Sequence, residues 1–390
     1  MQKFKVFVLL FVLFSLVIYV LDRQFSSGFV PSEIKNYEIN VPEPLVLNES
    51  DLALQKSSES FFNETLKPGR FNGAMLVSRN GKIVFEKYNG LKEVLSGDPI
   101  DSSTAFHLAA VSKTFTAMAI LRLREKGLLQ IEESVSTILS GFPFNKITIK
   151  DLLSHRSGLP NYVHFAERLG WDPHQFLTNQ DILDLIIRNA NKLKAGRSNA
   201  YFDYCNTNYA LLALIVEKLS KISFSEFLKK EFFEPLGMTN TFVFEISMAD
   251  KVLQSYKFNN RKEPMMFLDA VYGDKNIYST PRDMMKWDRA LVPGNFFNQQ
   301  TLDDAFKGYS YEKRGKRNYG LGWRLVEMPS GKKMVYHNGW WHGNNTVFSR
   351  LPSDSTVIIV LGNKFNRNIY RAKKIAGTFS GYGIQMEEDD

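Results

Sequence analysis

The chain reads as an α/β protein: an antiparallel β-sheet flanked by terminal helices, with a helical subdomain inserted between the first and last strands. Three observations predict this. A β-hairpin pattern opens the folded region, helical periodicity fills the middle, and the C-terminal quarter returns to strand periodicity with short turns.

The hairpin is Ala74 to Val77 and Ile83 to Tyr88 around Asn80-Gly81, residue types that accept the positive φ of a tight turn. A helix is expected from Val111 to Lys126, with Phe115, Met118, Ala119, Ile120 and Leu123 apolar and Gly127 ending it. Further helical segments fall at Ile147 to Leu153, Gln180 to Asn191, Asn208 to Ser220 and Phe224 to Glu234. Thr280, Pro281 and Asp283 make a helix start, with a capping hydroxyl, a proline at the first position and an acid near the positive helix end. Strands follow at Tyr319 to Glu327, Lys332 to His337, Thr346 to Leu351 and Thr356 to Leu361, and their short connections imply antiparallel pairing. Asn366 to Gly377 closes the chain as a helix.

A length of 390 residues with 44% hydrophobic content supports a large core and excludes a disordered or fibrous protein. The net charge of +8 is spread along the chain without a dense Lys/Arg block, so it reads as a solvated basic surface and not as a nucleic-acid interface. Cys205 is the single cysteine, which excludes an intrachain disulfide framework and a Cys-based zinc cluster. The six histidines form no His-x-x-x-His pair, so no metal is expected.

Lys3 and Lys5 precede an apolar run from Val6 to Leu21 broken only by Ser15. No small-x-small cleavage site follows directly, so residues 1–25 read as a signal-anchor or transmembrane segment with the N-terminus in the cytoplasm, the alternative being a cleaved signal peptide. Residues 26–59, with Pro31, Pro42 and Pro44 among many Ser, Asn and Glu residues, read as a stalk, and residues 60–390 as the folded domain. The expected location is therefore membrane-anchored, with the domain extracytoplasmic, periplasmic or at the cell surface.

Seven segments carry the chemistry: Phe106 to Phe115 with Ala110 and Lys113; Asp151-Leu-Leu-Ser-His-Arg-Ser-Gly158; Tyr204-Cys205-Asn206; Glu234-Pro-Leu-Gly-Met; Gly273-Asp-Lys-Asn-Ile-Tyr-Ser-Thr; Tyr319-Gly-Leu-Gly-Trp323; and His337-Asn338-Gly339. In this order and at these separations the chain resembles the serine penicillin-binding proteins, class C β-lactamases and related esterases, over roughly residues 60 to 380. The Ser-x-x-Lys pattern alone means little, since it recurs at Ser32/Lys35, Ser310/Lys313 and Ser330/Lys333 without that context. Positions 110 and 113 at a helix start share a face, so the amine of Lys113 reaches a side chain at 110. The His-x-Gly form brings the resemblance closer to DD-peptidases and esterases than to Lys-Thr-Gly β-lactamases.

The resemblance implies a β-lactamase/transpeptidase-like fold and an acyl-serine mechanism on a peptide, amide or ester, without metal or organic cofactor. It implies Ala110 at the nucleophile position, Lys113 as general base, Tyr204 as second proton carrier, and His337 in place of the usual lysine. Asn206 is expected to bond Lys113 and the substrate amide. Gly339 admits the substrate backbone, the N–H groups of Ala110 and Trp340 form an oxyanion hole, and Trp340, Trp341 and His342 lie at the pocket mouth. The implied partners are a small-molecule or peptide substrate, such as cell-wall peptide, and the membrane.

Ala110 departs from the pattern by one oxygen, so the chain as written is expected to be inert. Ser112 is no substitute, because it points about 200° round the helix from residue 110. Retention of Lys113, Tyr204 and His337 favours removal or recent loss of a catalytic serine over the alternative, a natural pseudoenzyme that binds cell-wall peptide or a protein partner.

Overall fold

The computed structural model describes residues 47–383 apart from 313, 314 and 316. Segment 1–25 and the stalk up to residue 46 lie outside them. Among the described residues no helix is long and apolar enough to cross a membrane.

Folded structure begins earlier than the expected boundary at residue 60, with helix α1 (Glu49–Phe61). Asn48 caps it: its side chain accepts from the Asp51 N–H at 2.9 Å while the Asp51 carboxylate accepts from the Asn48 N–H at 3.2 Å. Only Asp51, Leu54, Ser58 and Phe61 turn inward. So sparse an apolar stripe, in a Ser- and Glu-rich segment, resembled a stalk.

Strands β1 (Gly73–Arg79) and β2 (Lys82–Asn89) form the hairpin, followed by a short ribbon, β3 (Leu91–Glu93) and β4 (Ser96–Pro99). A small sheet joins β5 (Phe106–His107), β6 (Phe242–Val243) and β7 (Ile277–Ser279). The expected strand 319–327 is two strands, β8 (Arg317–Tyr319) and β9 (Arg324–Glu327), because Gly320-Leu321-Gly322-Trp323 turns the chain between them. Then come β10 (Lys333–Trp341), β11 (Asn344–Leu351) and β12 (Thr356–Gly362). The main sheet has the order β2-β1-β12-β11-β10-β9-β8, antiparallel throughout.

The sheet divides two cores, and period 2 assigns each residue to its side. Ala74, Leu76, Val335, Phe348, Ile359 and Leu361 face the helical subdomain. Met75, Val77, Met334, Tyr336, Val347 and Val360 face the terminal segments, where Leu54 and Phe61 of α1 meet Ile369, Ala372 and Ile375. The closing element is a run of 3₁₀ turns, Arg367–Thr378, and not the expected α-helix.

The helical subdomain contains α2 (Ser112–Glu125), α3 (Ile149–Leu153), α4 (Tyr162–Phe165), α5 (Asn179–Arg188), α6 (Asn206–Ser220) and α7 (Phe224–Leu228). Helix α6 is apolar on nearly every side and packs against α2 as the centre of the subdomain. Helix α8 (Pro281–Ala290) starts as expected, with Thr280 accepting from the Asp283 N–H.

Candidate active site

Lys113, Tyr204, Asn206, His337, Gly339, Trp341 and Ala110 come from three separate stretches of chain, and the structure gathers them where α2, the start of α6 and β10 converge. Ala110 sits half-buried in a 3₁₀ turn, Ala109–Val111, that leads directly into α2. Ala109 adopts φ +48°, a left-handed conformation that disfavours residues with a Cβ by roughly 1–2 kcal/mol. Two bonds hold the turn in place. The Ala109 N–H donates to His107 Nδ1 at 3.0 Å, and the Leu108 N–H to the Ile277 carbonyl at 2.8 Å. Ser112 is fully buried and accepts from the Ile277 N–H at 3.1 Å, so it points away from the site as its helix position requires.

The turn rests on β10. A Cβ at Gly339 would fall onto Thr346 Oγ1, 2.5 Å from the Leu108 carbonyl oxygen and 3.0 Å from the Ala109 Cβ. Gly339→Ala is therefore expected to lower stability by about 1–3 kcal/mol. It should also displace the 109–111 turn, which thermal unfolding together with reactivity at position 110 would register.

Lys113 is 1% exposed, and its Nζ donates to the carbonyl oxygen of Asp274 at 2.8 Å. Burial pushes its pKa down to about 8; the Asp274 charge works against the fall and Arg324 adds to it. The expected bond from Asn206 is absent. Asn206 is the first residue of α6, half-buried, and the Asp274 carbonyl takes the lysine instead. Gly273 makes that carbonyl available: φ is +90°, and a Cβ there would lie 2.5 Å from the Tyr209 carbonyl oxygen on α6.

The Tyr204 ring lies 5.1 Å from Lys113 Nζ and 5.1 Å from the Arg324 guanidinium carbon, so cations approach it from two elements. It packs on His155 at 4.3 Å between ring centres. His155, φ +54°, accepts from the Cys205 N–H at 3.1 Å through Nδ1 and thereby locates the start of α6.

His337 is fully buried on the same face of β10 as Gly339 and Trp341. Its Nδ1 lies 2.8 Å from the Asn338 carbonyl and its Nε2 3.2 Å from the Tyr319 hydroxyl. A carbonyl only accepts, so Nδ1 carries the proton and Nε2 accepts from Tyr319. Burial, reinforced by Arg324 and Lys113, holds the ring well below the usual histidine range and hence neutral. Both ring nitrogens are thus engaged within the protein.

Strand parity corrects one expectation. Trp340 projects to the opposite face, 65% exposed, with its indole near Phe365 at 6.2 Å, so its side chain is no wall of this site and only its backbone borders it. Trp341 does lie on the site's face, where its Nε1 donates to Asp269 Oδ1 at 2.7 Å. His342, at φ +51° in the hairpin turn, lies 2.9 Å from the same carboxylate oxygen. Behind Trp341 a cavity of about 50 Å³ is bordered by His107, Asp269, Tyr278 and Met265. The ladder between β9 and β10 runs from Lys333 to Tyr336.

Asp274, Lys275, Tyr162, Tyr319, His155 and Arg324 form the rest of the surroundings, and sequence reasoning gave none of them a role. All but Tyr162 and Arg324 fall inside the segments quoted above, so their positions were visible while their partners were not. Among the described residues no group of three His, Cys, Asp or Glu side chains is placed to hold a metal ion.

A family model described as Beta-lactamase matches residues 59–380. A penicillin-binding protein of Bacillus subtilis (strain 168) is 32% identical over 330 residues, 80% of this chain and 72% of that protein. The putative penicillin-binding protein PbpX of the same organism is 29% identical over 306 residues, 76% and 72% of the two chains. Among solved structures, a penicillin binding protein from Bacillus halodurans gives a TM-score of 0.72 at 23% identity, covering 86% of this chain and 100% of that one. D-amino acid amidase from Ochrobactrum anthropi SV3 gives 0.65 at 20% identity, covering 85% and 97%.

Proposed function

This chain belongs to the beta-lactamase family, and on that premise we propose that its site is built for serine acyl transfer and is held without its nucleophile by Ala110. The observation that carries the reading is Lys113. A buried amine bonded to a carbonyl, with its pKa brought down to about 8, is suited to take a proton, and it stands three residues beyond the alanine.

With a serine at 110, Lys113 Nζ would take the hydroxyl proton as Oγ attacks the substrate carbonyl. Tyr204 would deliver a proton to the leaving group, and water would then release the acyl group. The N–H groups of Ala110 and Trp340 would hold the oxyanion, and alanine retains its N–H. His337, neutral and bonded on both sides, serves to hold Tyr319 against the Tyr204 side of the site. The substrate class we favour is a D-configured peptide, amide or ester lying along β10. The names of the relatives and of the amidase support that choice. We place the domain outside the cytoplasm, anchored by the apolar run at Val6 to Leu21.

The test is Ala110→Ser followed by intact-mass measurement after exposure to a labelled penicillin or a fluorophosphonate. One adduct per chain, absent from the unaltered protein, is the expected result. A folded Ala110→Ser protein that forms no adduct and hydrolyses no ester or D-peptide, while the Ala110 form binds muropeptide, would establish the binding-module alternative.

The pH profile of the restored form follows from Lys113. Its neutral fraction falls tenfold per pH unit below its pKa, so kcat/KM should rise with pH and level off near 8. A flat profile between about pH 6 and 9 would remove Lys113 as the base.

A further inference from the structure

Lys113 shares its surroundings with a second buried lysine. Lys275 is 2% exposed, and its Nζ donates to the Tyr162 hydroxyl at 2.7 Å, lies 3.5 Å from Asp274 Oδ1 and sits 4.6 Å from the centre of the Trp341 ring. The Tyr162 hydroxyl in turn donates to Asp274 Oδ2 at 2.8 Å. Asp274 is 1% exposed and joins the two lysines: its carboxylate faces Lys275, and its backbone carbonyl takes Lys113. Oδ1 has no hydrogen bond, so the Lys275 ammonium is what compensates it. The other nearby acid, Asp269, already receives His342 and Trp341.

Two buried ammonium groups around one carboxylate cannot both remain charged without a large desolvation penalty. We propose that Lys275 is a positioning residue that occupies the Asp274 carboxylate and so lets Lys113 give up its proton more readily. The geometry assigns the partners unequally: Lys275 meets the carboxylate and the tyrosine that bridges it, whereas the hydrogen bond of Lys113 goes to a carbonyl dipole. Without Lys275 the carboxylate would stand uncompensated, and its field would hold Lys113 protonated.

The other groups facing Lys113 and Lys275 leave this balance in place. Tyr204 and Tyr209 on or beside α6 present ring faces to Lys113 at 5.1 and 5.6 Å. Arg324 from β9 and His337 from β10 add positive or neutral groups, and Cys205 is a buried thiol pushed up to about 11 and therefore uncharged. On the Lys275 side, His107 is held down to about 4 by burial and is neutral, and Asp269, bonded to His342, adds a second negative charge. Burial lowers the Lys275 pKa and the charge of Lys113 adds to the fall, while Asp274 and Asp269 both work against it, so the two acids favour the proton on Lys275.

This inference rests on Lys113 being the base, but its test needs no turnover. In the full chain with Ala110 in place, the ¹³Cε resonance of Lys113 is followed against pH and assigned by its loss in Lys113→Arg. Lys275→Met should raise the Lys113 midpoint by about one pH unit or more, and Asp274→Asn should lower it. Lys275→Met/Asp274→Asn should return it towards the parent value. A folded Lys275→Met with an unmoved Lys113 midpoint overturns the proposal. If that variant does not fold, the double variant, which buries no lone charge, is compared with Asp274→Asn. A higher Lys113 midpoint in the double variant supports the proposal, and equal midpoints overturn it. In the Ala110→Ser background the acid limb of kcat/KM should move in the same directions. Absence of activity there would sink the hydrolase reading and leave the titration result standing on its own.

Discussion

Ala110→Ser is expected to raise hydrolysis of an activated ester or a D-alanyl peptide by a factor on the order of 10⁶ over the unaltered chain, the loss seen when a catalytic serine is deleted from an otherwise intact hydrolase. The expectation is this large because the surroundings need no rebuilding. The 109–111 turn is already held by His107, Ile277 and the close approach of Gly339, and Lys113 is buried on the same face with its pKa near 8. Adding one oxygen to a half-buried alanine disturbs little packing. Steady-state turnover of both forms, with equal unfolding temperatures as a control, measures the gain. A gain below about a hundredfold in a folded variant would mean that the oxyanion site or the proton path is not assembled as described.

Lys113→Met in that restored background should return the rate to within about tenfold of the Ala110 form, because nucleophile and base act as one unit and their losses do not add. The same substitution in the unaltered chain should leave its residual rate unchanged. Methionine nearly matches lysine in length and removes an amine whose burial is unfavourable. Stability should therefore hold or rise even as activity disappears. Turnover and thermal unfolding of the four combinations form a double-mutant cycle. Additive losses would show that Lys113 contributes packing alone.

Much of this was legible locally. The separation of positions 110 and 113, the hairpin at Asn80-Gly81 and the capped start at Thr280 depend on residues a few places apart. Local geometry places such residues before any tertiary contact forms. Parity along β10 was equally available: His337, Gly339 and Trp341 alternate with Trp340, so the outward face of that indole follows from strand periodicity. The first helix was harder, since four inward residues among serines and glutamates bury themselves only because the sheet and the C-terminal turns supply the other half of the core.

Taken by itself, the sequence determined the family, the broad succession of hairpin, helical segments and C-terminal strands, and the spacing of Lys113 from position 110, because these rest on motif order and short-range spacing. Only the tertiary structure decided what surrounds that lysine. Lys113 and Asp274 are 161 positions apart, and Lys275 and Tyr162 are 113 apart. Nothing in local periodicity relates such pairs. They meet because the glycine at 273 lets its segment lie against α6, while the small sheet ties Ile277 to the turn that carries residue 110. The charge of a buried group is set by the neighbours that packing places around it, and these come from distant parts of the chain.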